Sequence, residues 1–86
     1  MKIKNQYVLK KIAGKNIVIP VGEEAVNFNG IITLNETSAF LFEKLQNEIT
    51  LDELVNLMVT RYDVEEVIAR KDIIDFIDVL TKKGLI

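Results

Sequence analysis

Residues 28–45 read FNGIITLNETSAFLFEKL, and this stretch decides the fold because a short strand runs directly into a helix within it. Ile31 to Leu34 are apolar or β-branched residues, which suit a strand. The Asn29-Gly30 pair before them predicts a turn, since both residues tolerate a positive φ. Asn35 is a predicted helix N-cap, whose side-chain oxygen would accept from an amide of the first turn. The sequence therefore predicts strands before this junction and helices after it.

Two further strands are predicted upstream, at Tyr7 to Ala13 and at Asn16 to Val21, with Gly14-Lys15 between them. A short glycine-containing link between two such runs is typical of a β-hairpin. Pro20 has no amide to donate, so we expect it at the end or the edge of a strand. The residues from Ala25 to Phe28 are predicted to form a loop.

Three helices are predicted downstream, and the first runs from Glu36 to about Gln46. Thr50 and Glu53 form a capping-box pattern at the start of the second helix. The third helix is predicted from Val64 to about Lys82, with Asp63 as its N-cap. A glycine at position 84 then provides a natural C-terminal signal.

The third helix carries an apolar surface that is wider than one core contact requires. At about 100° per residue, one stripe contains the residues expected in the core: Ala69, Ile73, Phe76, Ile77 and Leu80. The opposite side is charged and is expected to face water: Lys71, Asp75, Asp78 and Lys82. Ile68 and Val79 border the stripe on one side with Asp72 between them, and Ile74 borders it on the other. The extra width fits either deeper burial or one wall of a groove for an apolar partner.

Composition excludes most catalytic chemistry for this chain of 86 residues. Histidine, cysteine and tryptophan are absent, so the common transition-metal sites and histidine-assisted nucleophiles are unavailable. The four glycines are isolated, which leaves no phosphate-binding loop. We therefore expect a single domain over residues 1–86 that is not an enzyme and has no catalytic residue, cofactor or metal site.

The sequence also predicts where the protein works. No apolar run approaches the roughly 20 residues that span a bilayer. The N-terminal MKIKNQY lacks the apolar segment of a signal peptide. We expect a cytoplasmic protein without membrane contact. The net charge of −2 disfavours nucleic acid as a partner, since a phosphate-binding surface needs positive charge.

Three segments together resemble the PqqD-like family of peptide chaperones, whose relatives are called RiPP recognition elements. They read VNFNGIITLNETSAFLFEKL (26–45), TLDELVNLMVTRYDV (50–64) and ARKDIIDFIDVLTKKGLI (69–86). The resemblance lies in their ordered set: a Leu-Asn-Glu junction between strand and helix, a Tyr-Asp pair before the third helix, and a terminal Gly-Leu. It covers nearly the whole chain and is strongest from Phe28 onward.

The resemblance implies an α+β, winged-helix-like fold in which three N-terminal antiparallel strands are followed by three helices. It implies binding of the leader segment of a ribosomally synthesised precursor peptide, added as a strand beside the third strand and packed on the third helix. The strand residues implied in peptide binding are Ile31, Ile32, Thr33 and Leu34. The helix residues are Ala69, Asp72, Ile73 and Phe76, with Asp72 as a polar fixing point. Which helix flank faces the groove stays open, so Ile74 and Ile77 are alternatives.

The partner enzyme that the resemblance implies is a radical S-adenosylmethionine maturase or another peptide-modifying enzyme, supplied as a separate protein. Exposed strand edges also invite self-pairing, which leaves a homodimer open. Two alternatives from other classes are a winged-helix DNA-binding regulator and a purely structural subunit. Charge disfavours the regulator, because the candidate recognition helix carries five acids between Glu65 and Asp78 against Arg70 and Lys71.

Overall fold

Seven elements of secondary structure form in the computed structural model, which describes residues 1–27 and 31–86. In chain order they are β1 (Tyr7–Ile12), β2 (Lys15–Pro20), α1 (Glu24–Asn27), β3 (Ile32–Leu34), α2 (Glu36–Lys44), α3 (Leu51–Arg61) and α4 (Glu66–Lys82). The predicted α+β arrangement, with three antiparallel strands and three longer helices after them, is confirmed. The predicted Asn29-Gly30 turn lies outside the described residues.

The strands form one sheet in the order β1-β2-β3, and each neighbouring pair is antiparallel. Ile12 pairs with Lys15, so the hairpin link is Ala13-Gly14, and the predicted link at Gly14-Lys15 is wrong by one residue. Both link residues have a positive φ, +51° and +79°, as a type I′ turn requires. The twist of that turn matches the twist of the strands, which draws Lys15 into the ladder. Pro20 is the last residue of β2, at a strand end as predicted.

A single helical turn, α1, forms where the sequence predicts a loop, so that prediction is wrong for residues 25–27. The turn follows Gly22, which has a φ of +63°, and the Ala25 amide donates to the Gly22 carbonyl at 3.2 Å. The Tyr7 hydroxyl donates to Glu24 Oε2 at 2.9 Å and ties the turn to the start of β1. Burial raises the pKa of Tyr7, and the hydrogen bond to Glu24 raises it further. A contact between residues 17 positions apart thus organises α1, and no local pattern predicts it.

The predicted N-terminal caps of α2 and α3 are confirmed, whereas α2 ends at Lys44 and not at about Gln46 as predicted. Asn35 caps α2, because its side-chain oxygen accepts from the Ser38 amide at 2.8 Å. The capping box of α3 is complete: the Glu53 amide donates to Thr50 Oγ1 at 3.2 Å, and the Thr50 amide donates to Glu53 Oε1 at 3.1 Å. Each bond satisfies an amide that the first turn of a helix leaves without a partner.

Of the two predicted ends of α4, one is wrong and the other is confirmed. The predicted Asp63 cap is wrong, because α4 begins at Glu66 with Glu65 in the N-cap position and no side-chain cap. Val64 packs against the core and its amide donates to the Tyr62 carbonyl at 2.8 Å, which closes a γ-turn centred on Asp63 before the helix begins. The C-terminal end is as predicted, since the glycine at position 84 has a φ of +84° and the last turn closes in a Schellman motif.

Buried side chains from the sheet and from α2, α3 and α4 form one core. Its largest members include Tyr7, Phe42, Leu54, Ile73 and Leu80. The two ends of the chain meet over this core, since the Lys4 amide donates to the Leu85 carbonyl at 2.9 Å. Among the residues that the structure describes, no helix is both long enough and apolar enough to cross a membrane.

Candidate functional site

The third strand lies at an open edge of the sheet. β3 pairs with β2 on one side only, through the partners Asn16–Leu34, Ile17–Thr33 and Val18–Ile32. Its other side therefore offers backbone amides and carbonyls that no strand of the sheet uses. Ile31 precedes the strand and is 70% exposed, whereas Leu34 at the other end is buried in the core. An apolar, unpaired edge of this kind accepts an added strand from another chain.

A cavity of about 320 Å³ lies just beyond the end of this strand. Its wall starts at Asn35, which follows the last residue of β3, and includes the first turns of α2, the end of α3 and the middle of α4. The lining residues are Asn35, Thr37, Ser38, Leu41, Met58, Tyr62, Val64, Asp72 and Phe76. The cavity thus lies between one side of α4 and Asn35, the residue that follows β3.

The four predicted binding residues on α4 occupy two different environments. Asp72 and Phe76 line the cavity, one turn apart, and Asp72 is exposed while Phe76 is half-buried. Ala69 and Ile73 have no exposed surface and belong to the core below that wall. Of the predicted binding residues, the cavity brings together Asp72 and Phe76. It includes neither Ala69 nor Ile73, and none of the strand residues 31–34 lines it.

The flank of α4 that borders the cavity is the one that carries Asp72. Ile68 and Val79 lie on the same flank, and they are 50% and 44% exposed. Ile74 is 47% exposed but lies about 160° around the helix from Asp72, on the far side. The alternatives at Ile74 and Ile77 are absent from the cavity lining. The cavity therefore singles out an apolar flank with one carboxylate in it.

Several lining residues come from outside the predicted site. Met58 belongs to the buried face of α3, yet it also reaches the cavity. Tyr62 follows α3 as its C-cap, and its ring meets Phe40 edge-on with 5.7 Å between the ring centres. The sequence signal for Tyr62 is its spacing, four residues after Met58 and seven after Val55, which places an amphipathic ring on the apolar face of the helix.

Positive and negative side chains are concentrated in different parts of the sequence. Residues 1–22 contain five lysines and no acid, whereas residues 23–86 contain thirteen acidic and six basic side chains, a net charge of −7. On α4, three acids are held in ion pairs one turn apart: Glu66–Arg70 at 3.3 Å, Lys71–Asp75 at 2.9 Å and Asp78–Lys82 at 2.9 Å. The helical part therefore presents a negative surface on which most α4 acids are already paired.

A second cavity of about 370 Å³ lies between the hairpin and α2 and is more polar. There Lys11 Nζ lies 3.7 Å from Glu36 Oε1, which also accepts from Asn16 Nδ2 at 3.3 Å. These groups satisfy one another, as expected for a structural network. Within residues 1–27 and 31–86, no group of three or more acidic side chains converges to hold a metal ion.

Comparison with known proteins adds a family and a fold. A family model described as coenzyme PQQ synthesis protein D (PqqD) matches residues 8–86. No curated protein matches the chain. Among solved structures, TbiB1 in complex with the TbiA(beta) leader peptide has a TM-score of 0.78 and 20% identity, over 99% of this chain and 93% of that one. A lasso peptide synthetase B1 complexed with the leader peptide has a TM-score of 0.76 and 17% identity, over 98% of this chain and 93% of that one.

Proposed function

The chain belongs to the PqqD family, and we propose that it is a non-catalytic recognition domain for the leader segment of a ribosomally synthesised precursor peptide. The single observation that carries this proposal is the open edge of β3 beside the cavity on α4. The similar folds of TbiB1 and of lasso peptide synthetase B1, each described with a leader peptide, support it.

The leader binds by adding a strand to the open edge. Within the predicted strand site of residues 31–34, the backbone groups of Ile31 and Thr33 face away from β2 and fix the register of the leader. Alternate peptide side chains then point toward α4. Phe76 provides the apolar wall and Asp72 the polar contact. Ala69 and Ile73 are buried in the free chain, so their part is to set the position of α4 from below.

The domain acts in the cytoplasm, where the precursor is made, and delivers it to a separate enzyme. A radical S-adenosylmethionine maturase is the expected partner. Holding the leader raises the effective concentration of the rest of the peptide at the active site, which requires no catalytic group in the domain itself. A homodimer through β3 would occupy the same edge, so it would compete with the peptide.

A titration of the isotope-labelled domain tests this function, using the peptide encoded by the small open reading frame nearest to its gene. We expect amide shifts at residues 31–34 and along the flank of α4 that carries Asp72 and Phe76. The other edge strand of the same sheet, β1, is the internal control and should not shift. Shifts spread equally over both edges would contradict a specific groove. Shifts caused by duplex DNA and not by the peptide would favour the winged-helix regulator.

The variant Thr33→Pro tests the strand contact directly. Backbone groups alternate in direction along an antiparallel strand, so Ile32 and Leu34, opposite Val18 and Asn16, bond to β2 while the Thr33 amide faces the open edge. Proline at position 33 removes that outward amide and should abolish peptide binding. Urea unfolding of the same variant shows whether the domain remains folded at the assay temperature. A folded Thr33→Pro domain that binds with unchanged affinity would exclude edge pairing.

A further inference from the structure

Asp72 is the acid of α4 that stands apart from the ion pairs of the helix. Lys71 is its neighbour in sequence, but the Lys71 ammonium is bonded to Asp75, which raises the pKa of Lys71 above its ordinary value. No hydrogen bond or ion pair joins the Asp72 carboxylate to any residue that the structure describes. Residues 26–30, whose side chains are not described, contain no lysine or arginine, so they cannot supply a cation either.

The surroundings of Asp72 are partly apolar. Asp72 lines the 320 Å³ cavity with the apolar residues Phe76, Val64 and Leu41, and with the uncharged polar residues Asn35, Thr37 and Ser38. The hydrogen bond to Asp75 raises the pKa of the neighbouring Lys71 most, and the charge of Asp72 also helps to raise it. A peptide laid over this wall would remove water from the carboxylate. A carboxylate that loses water without a partner is costly, whereas a cation brought by the peptide restores the interaction.

The distance between Asp72 and Phe76 on the cavity wall also limits which peptide sequences can bind. Asp72 and Phe76 are four residues apart on a helix, which places them about 6 Å apart along its axis. Residues two apart in an extended peptide are about 6.6 Å apart and point to the same side. One face of an added strand can therefore set one side chain on Asp72 and the next on Phe76.

We propose that the groove selects peptides in which a lysine or arginine is followed or preceded, two positions away, by a large apolar residue. The cation pairs with Asp72, and the apolar residue packs on Phe76. This inference rests on the proposed function, because it assigns the chemistry of the ligand that the groove holds. The net charge of −7 on residues 23–86 attracts cationic peptides toward the same part of the molecule.

Selection from a displayed library of random twelve-residue peptides tests the inference without knowledge of the natural leader. Wild-type protein should enrich peptides that carry a basic and an apolar residue two positions apart. Asp72→Asn keeps the shape of the side chain and should retain the apolar preference while losing the basic one. Asp75→Asn is the matched control, since Asp75 is already paired with Lys71, and it should select as the wild type does.

One selected peptide then serves for a double-mutant cycle. Replacing its basic residue by glutamine should weaken binding to the wild-type protein roughly fivefold. This loss corresponds to the upper end of the interaction free energies found for solvent-accessible ion pairs. The same replacement should change the affinity of Asp72→Asn little, because the partner is already gone. Melting curves of both variants should match the wild type.

The outcomes separate the inference from the function on which it rests. Apolar peptides selected without any basic preference would overturn the inference and leave the groove intact. A basic preference that survives in Asp72→Asn would also overturn it, because the cation would then be read elsewhere. If wild type enriches no peptide, or if folded Thr33→Pro enriches the same ones, the proposed function itself fails.

Discussion

Ile31 offers the most direct measure of how much the open edge contributes to binding. Its residue surface is 70% exposed although it directly precedes β3. Complete burial of an isoleucine side chain is worth about 1.5–3 kcal/mol. Covering the exposed 70% with a bound strand should then contribute about 1–2 kcal/mol. Ile31→Ser should therefore weaken peptide binding roughly 5- to 30-fold.

The stability of Ile31→Ser should stay within about 0.5 kcal/mol of the wild type, because an exposed side chain contributes little to folding. Val67→Ser is the matched control. Val67 is even more exposed, at 78%, but lies about 140° around α4 from Asp72 and away from the cavity. Its affinity should not change.

Fluorescence anisotropy of a labelled leader peptide measures the affinity of both variants, and urea unfolding measures their stability. The reasoning would be refuted if Ile31→Ser bound as tightly as wild type. It would also be refuted if the two variants lost equal affinity, since binding would then depend on total apolar surface and not on the edge of β3.

Three further predictions concern the scaffold. Thr50→Ala should lower the unfolding free energy by about 1 kcal/mol because it opens the capping box. Thr60→Ala is the control, since Thr60 lies in the same helix but away from the cap, and it should not lower the unfolding free energy in this way. Equal urea midpoints for the two variants would contradict a role for the cap. Gly84→Ala should cost about 1 kcal/mol through its φ of +84° alone, since an added methyl group meets no atom within 4 Å, and an unchanged melting temperature would count against that strain. Because Tyr7 has a raised pKa, the folded chain keeps its proton longer, so the unfolding free energy should fall as the pH rises above about 10. Tyr7→Phe should reduce that decline in urea titrations between pH 8 and 11, and an identical slope in both proteins would exclude Tyr7 as its source.

Local signals predict the ends of most elements well. Asn35, Thr50 and Glu53 bond to amides within three residues of themselves, so their role can be recognised from spacing alone. The apolar stripe of α4 is equally local, and Ala69, Ile73 and Leu80 are buried as its period predicts. These interactions form within one turn and hardly depend on the rest of the chain.

The features that the sequence does not reveal depend on distant contacts. The helical turn α1 is tied down by Tyr7, 17 positions before Glu24. Asp63 has the right residue type for a cap, but it lies in a γ-turn closed by Val64, which packs on the core, and the helix begins only at Glu66. Whether the Asp72 side or the Ile74 side of α4 borders the cavity likewise depends on where α2 and α3 lie. The periodicity of the α4 sequence carries no information about those positions.

The junction of the two chain ends has a consequence for synthesis of the protein. Ile3 and Leu85 are both fully buried, and a backbone hydrogen bond joins the Lys4 amide to the Leu85 carbonyl. The core therefore cannot close until residue 85 has left the ribosome, although β1 and β2 can pair much earlier. During that interval the apolar edge of the hairpin is unprotected, so crowding of nascent chains favours aggregation. Completion of the domain therefore has to wait until α4 and the residues that follow it, including Leu85, have emerged.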